Sequence, residues 1–87
     1  TVEELFQLII KKGSWDRARE IIKGLEVSDY SGVRIQIFTR LAAYVVNARD
    51  SKESVRYLDI LDKLNGSFYI PQTSKGEFLL MLGDILL

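Results

Sequence analysis

The residues of this chain most able to do chemistry are carboxylates that come in pairs. Asp59 and Asp62 would stand one helical turn apart, and so would Asp16 and Glu20. Paired carboxylates can hold a cation or work as acid and base. Their neighbours point elsewhere: Lys63 and Arg56 accompany the first pair and Arg19 the second, which reads as mixed charge on a wetted helix face. The chain has no histidine and no cysteine. That removes the commonest general base, the commonest metal ligands and any disulfide. No catalytic residue, metal or cofactor is expected.

Phosphate contacts are the second chemistry to weigh. Lys11, Lys12, Arg17, Arg19 and Lys23 cluster within one stretch, but Glu3, Glu4, Asp16, Glu20 and Glu26 dilute them there. A turn at Gly13 is also tighter than the three to four residues usual in a helix-turn-helix. Twelve basic and twelve acidic residues cancel overall, so net charge supplies no pull toward nucleic acid or anionic lipid.

The elements that would position these groups are helices. Thr1 and Glu4 form a capping box, and Val2, Leu5, Phe6, Leu8 and Ile9 follow at helical spacing. The spacing predicts a helix over 2–12 with Gly13 as its stop. Ser14 caps a second, 15–26, whose apolar face is Trp15, Ala18, Ile21, Ile22 and Leu25. The short link makes the two an antiparallel hairpin. The longest helix lies within 28–49, capped by Ser28 or Asp29 and starting between 29 and 32. Tyr30, Val33, Ile37, Leu41, Val45 and Ala48 run down one side, and Phe38, Ala42 and Val46 down another. Apolar residues on most of its circumference predict a helix buried between neighbours.

Asp50 to Glu53 is a second capping-box candidate. It opens a helix over 52–64 with Val55, Leu58, Leu61 and Leu64 at spacing three. The stretch 67–72 is irregular and too apolar to hang in water, so it is expected over the core. Tyr30 and Tyr69 are expected to bury their rings and keep their hydroxyls wet. Ser74 and Glu77 form a third capping box for a helix over 74–86. The expected fold is all-α: five helices in two antiparallel hairpins plus a terminal helix, solenoid-like or a compact bundle.

Eighty-seven residues make one domain, 1–87. A chain this short buries roughly 60–65% of its unfolded surface, and an apolar fraction of 47% against 28% charged is that of a globular chain. No apolar run reaches the about 20 residues of a membrane span, and no export signal opens the chain; a cytoplasmic location is expected. A first residue of Thr1, with Leu87 ending an apolar run, reads as a segment of a longer protein.

Shifted by 37 positions, Leu5 falls on Ala42 and Leu79, and Leu8 on Val45 and Leu82. Leu5 to Leu25 and Leu41 to Leu61 would each be helix, short turn, helix, with Phe78 to Leu86 as a lone first helix. In this the chain resembles the two-helix α-solenoid repeats, the tetratricopeptide and HEAT-like group broadly. The resemblance implies a scaffold that binds protein segments. The same shift aligns Arg40 with Glu3 and Glu77, then Gln7, Tyr44 and Met81, then Ile10, Asn47 and Asp84. Side by side, these rows would line a concave surface. The candidate partner-binding residues are Gln36, Arg40, Tyr44, Asn47, Glu77 and Met81.

The apolar run of the last helix, Phe78 to Leu82 with Ile85, Leu86 and Leu87, is too rich for one face. It is expected to meet a further helix or a second copy, giving a two-fold dimer. The function expected is non-catalytic binding of a protein or peptide. A helical nucleic-acid-binding or regulatory domain and an accessory domain of a larger enzyme remain open alternatives.

Overall fold

In a computed structural model, residues 1–27, 29–65 and 73–87 are described, and they form five α-helices and no strand. These are α1 (Val2–Lys11), α2 (Trp15–Gly24), α3 (Ser31–Val46), α4 (Ser51–Asn65) and α5 (Lys75–Leu86). The expected coverage by 67–72, the hydroxyl of Tyr69 and the candidate cap Ser28 lie outside the described residues. The fold is all-α. α3 and α4 make the most extensive helix pair, while α1 packs against α2, α3 and α5.

Local chemistry sets the helix ends. Thr1 and Ser74 make full capping boxes with Glu4 and Glu77, each satisfying two otherwise orphaned N–H groups. Ser14 accepts from the Arg17 N–H, and Asp50 Oδ1 accepts from the Glu53 N–H at 2.9 Å. Asp29 instead forms a turn just ahead of α3, its Oδ1 accepting from the Ser31 N–H. α1 stops differently from expectation. Lys12, not Gly13, takes the left-handed conformation (φ 50°, ψ 57°). Its N–H reaches the Ile9 carbonyl, and the Gly13 N–H reaches that of Leu8 at 2.8 Å. Glycine serves at 13 because the turn folds onto Leu8, where a Cβ would collide with that side chain.

The core is centred on α1. Leu5, Phe6 and Ile9 are wholly enclosed, joined by Ala18 and Ile22 from α2, Ile37 and Leu41 from α3, Leu64 from α4, and Phe78 and Leu82 from α5. Trp15, half-buried, lies beside Gly83 of α5. Tyr30 is buried, stacked on Phe78 with ring centroids 5.0 Å apart. Its hydroxyl is enclosed, with no partner among the described residues, rather than wet, because stacking draws the whole ring inward.

A polar latch ties α3 to both later helices. Thr73 is fully buried. Its carbonyl accepts from the Tyr30 N–H at 2.9 Å, and its N–H donates to Ser31 Oγ at 2.7 Å. Its hydroxyl accepts from Arg34 Nε at 3.0 Å. Arg34, itself buried, also donates Nη1 to the Leu64 carbonyl at the end of α4.

Two burial expectations fail. α4 buries Tyr57, Ile60 and Leu64, leaving Val55 and Leu58 exposed. Steps of three residues drift by about 60° on a helix, so Val55 and Leu64 sit on opposite sides. α3 is covered on one side only: Val33, Arg34, Ile37 and Leu41 face inward, while Ile35, Ala42 and Val46 are exposed. The excess expected on α5 is mostly absorbed, since Phe78, Met81, Leu82, Ile85 and Leu86 are buried. Leu80 and Leu87 remain outside.

Candidate functional site

The seam between α1 and α3 brings together residues 37 positions apart. Arg40 Nη1 donates to Glu3 Oε2, and Nη2 donates to Glu3 Oε1 at 3.3 Å. The helical phase of α3 then carries Arg40 over Phe6, its guanidinium 4.1 Å from the ring centroid. Phe6 meets Tyr44 edge-on at 5.2 Å, and Tyr44 meets Tyr57 edge-on at 5.7 Å. Arg56 lies over the Tyr57 ring at 4.8 Å and donates Nη1 to the Ile10 carbonyl in the last turn of α1. A row of three aromatic rings with a guanidinium over each end therefore runs from the start of α1 to its end.

Two hollows open on this ladder. One, of about 290 Å³, lies between α3 and α4 and is lined by Ala43, Tyr44, Asn47, Glu53 and Tyr57. Asn47 donates Nδ2 to the Ala43 carbonyl at 2.9 Å, which holds its amide in place and leaves Oδ1 able to accept. Glu53 takes Arg49 Nε at 2.8 Å. The other, of about 410 Å³, lies between α1 and α2. Leu8 and Ile21 give it an apolar floor, and Glu3, Glu4, Gln7, Lys11 and Arg17 form its rim. Glu3 belongs to that rim and also holds Arg40, which stands one helical turn before Tyr44 of the other hollow.

The rim carboxylates are held ionised. The Arg40 guanidinium, then the Gln7 amide, keep Glu3 below the ordinary 4.5. The Arg17 guanidinium, then the N-terminal ammonium, do the same for Glu4. Both groups face solvent, so the pairs orient side chains more than they stabilise the fold. These carboxylates can accept donors from a ligand, but they hold no proton to give.

Of the candidate residues read from sequence, Arg40, Tyr44 and Asn47 belong to the α3 stripe along this site, with Gln36 exposed one turn earlier. Glu77 serves the α5 capping box, and its Oε2 is enclosed with no partner among the described residues. Met81 is in the core. Neither lines the two hollows, because α1 itself packs against both α3 and α5. Leu8, Lys11, Ile21 and Tyr57 join the site from elements read only for their packing or charge. Among the described residues no group of three or more acidic side chains could hold a metal. No helix there is long and apolar enough to cross a membrane. The chain matches no protein-family model, no curated protein and no solved structure.

Proposed function

We propose that this domain is a non-catalytic binder of polypeptide segments, taking an extended peptide across α1 from one hollow to the other. The observation that carries the reading is the apolar floor of Leu8 and Ile21 inside a rim of fixed charges, beside a second hollow faced with tyrosine and amide groups. An apolar peptide side chain fills the first. Peptide N–H groups donate to Asn47 Oδ1 and to the glutamates, and Lys11 meets an acidic residue. Open hollows with a few fixed polar groups suit such a ligand. This keeps the scaffold role implied by the solenoid resemblance, in a cytoplasmic setting.

Nucleic acid is the weaker alternative because half of the twelve cations are paired with carboxylates. Arg17, Arg19, Lys23, Arg40, Arg49 and Lys63 each pair with a carboxylate. A continuous basic strip would leave them facing phosphate.

Selection from a library of displayed peptides, followed by calorimetric titration, tests the reading. Lys11→Glu and Asn47→Ala alter exposed side chains, so they should weaken the selected peptides while the helical signal persists. A selection that yields no binder, or binders indifferent to both substitutions, refutes it.

A further inference from the structure

The outer face of the α3–α4 hairpin shares no residue with either hollow, so its role is independent of peptide binding. Ile35, Ala42 and Val46 are exposed along α3. Beside them on α4, Val55 is 62% and Leu58 49% exposed. Such a patch on a small domain marks an interface.

Two observations say what covers it. First, a hollow of about 270 Å³ on this face is lined by Phe38 of α3 and by Leu58, Leu61, Asp62 and Asn65 of α4. The α4 residues stand at i, i+3, i+4 and i+7, the diamond into which a facing helix inserts one apolar side chain. Second, Lys52 and Asp62 are exposed near opposite ends of the apolar stripe, about 15 Å apart along the helix. Among the described residues neither makes an ion pair. The stripe therefore runs from positive through Val55 and Leu58 to negative. Its complement is the same pattern reversed.

We propose that the chain forms a two-fold dimer through this face, with α4 of one copy antiparallel to α4 of the other. Val55 of each copy fills the hollow beside Leu58 and Leu61 of the other, Leu58 lies near the axis, and Lys52 of each copy meets Asp62 of the other. A two-fold interface uses the same patch twice, as this distribution of charge requires. The face runs the length of two helices of 16 and 15 residues. The dimer also supplies the second side of cover that α3 lacks within one copy.

Sedimentation equilibrium of the 87-residue chain tests this, with far-UV circular dichroism as the control for folding. The expected mass is twice 10.0 kDa, and Leu58→Asp, at an exposed position, gives a folded monomer. Lys52→Glu and Asp62→Lys each place like charges together twice and weaken the dimer about tenfold or more. An equal mixture of these two variants recovers the dimer, because each then meets an opposite charge in the other. A wild-type chain at monomer mass throughout, a dimer indifferent to Leu58→Asp, or a mixture no tighter than its components overturns the proposal. None of these results bears on the peptide selection, so the two readings fail separately.

Discussion

Replacing Thr73 by valine keeps the shape of a fully buried side chain and removes one oxygen. That oxygen accepts from Arg34 Nε at 3.0 Å, and Arg34 is enclosed, so water cannot replace it freely. A hydrogen bond to a charged group is worth about 1.5–3 kcal/mol. The methyl that replaces the hydroxyl returns up to about 0.8 kcal/mol. The net loss expected is about 1–2 kcal/mol, or roughly 5–15 °C in Tm for a domain of this size. Urea denaturation followed by circular dichroism measures it. Arg34→Met should cost more, since the Leu64 carbonyl also loses its donor. In the double variant the Thr73 loss should largely vanish, giving a coupling of about 1 kcal/mol or more. Strict additivity of the two substitutions would show that the latch contributes nothing as a pair, and the reasoning would fail.

Lys12→Gly relieves the left-handed backbone at φ 50° and should stabilise the fold by about 0.5–1 kcal/mol in the same assay. Gly13→Ala should cost less than about 1 kcal/mol, since the new Cβ meets only the end of the Leu8 side chain, which can turn aside into the open hollow. Leu41→Ala, at a fully buried position, should cost about 2–5 kcal/mol. Acid should act through Glu3, whose carboxyl the Arg40 guanidinium holds below 4.5. A depressed carboxyl stabilises fully above its ordinary value, and this is lost as pH falls through the lower folded value. Thermal melts of the wild type and Arg40→Met should therefore differ most above 4.5 and draw closer as pH falls below it, the contact of Arg40 with Phe6 leaving a difference that pH does not remove.

Helix number, type and starts were legible because their determinants are local. Thr1, Ser14, Asp50 and Ser74 lie three residues before the groups they serve, and such caps announce themselves. Side-chain phase was less legible. α4 carries two apolar stripes, Val55–Leu58 and Tyr57–Ile60–Leu64, and no local signal says which one the core takes. The choice is made by α3 and α5. The latch at Thr73 was invisible for a related reason, since its side-chain partners stand 39 and 42 positions away. Within the candidate site, the pairing of Glu3 with Arg40 followed from the 37-position shift. The floor of Leu8 and Ile21 did not, because both residues also fit an ordinary buried face.

Trp15 is the single tryptophan of these residues, and it rests beside Gly83 of α5. Its emission is thus an unlabelled optical signal for the docking of α2 against α5. Contacts so distant in sequence carry a loop-closure cost that neighbouring contacts do not. Stopped-flow fluorescence would time that encounter, and comparison with the circular dichroism of the helices would reveal whether they form before α2 and α5 dock.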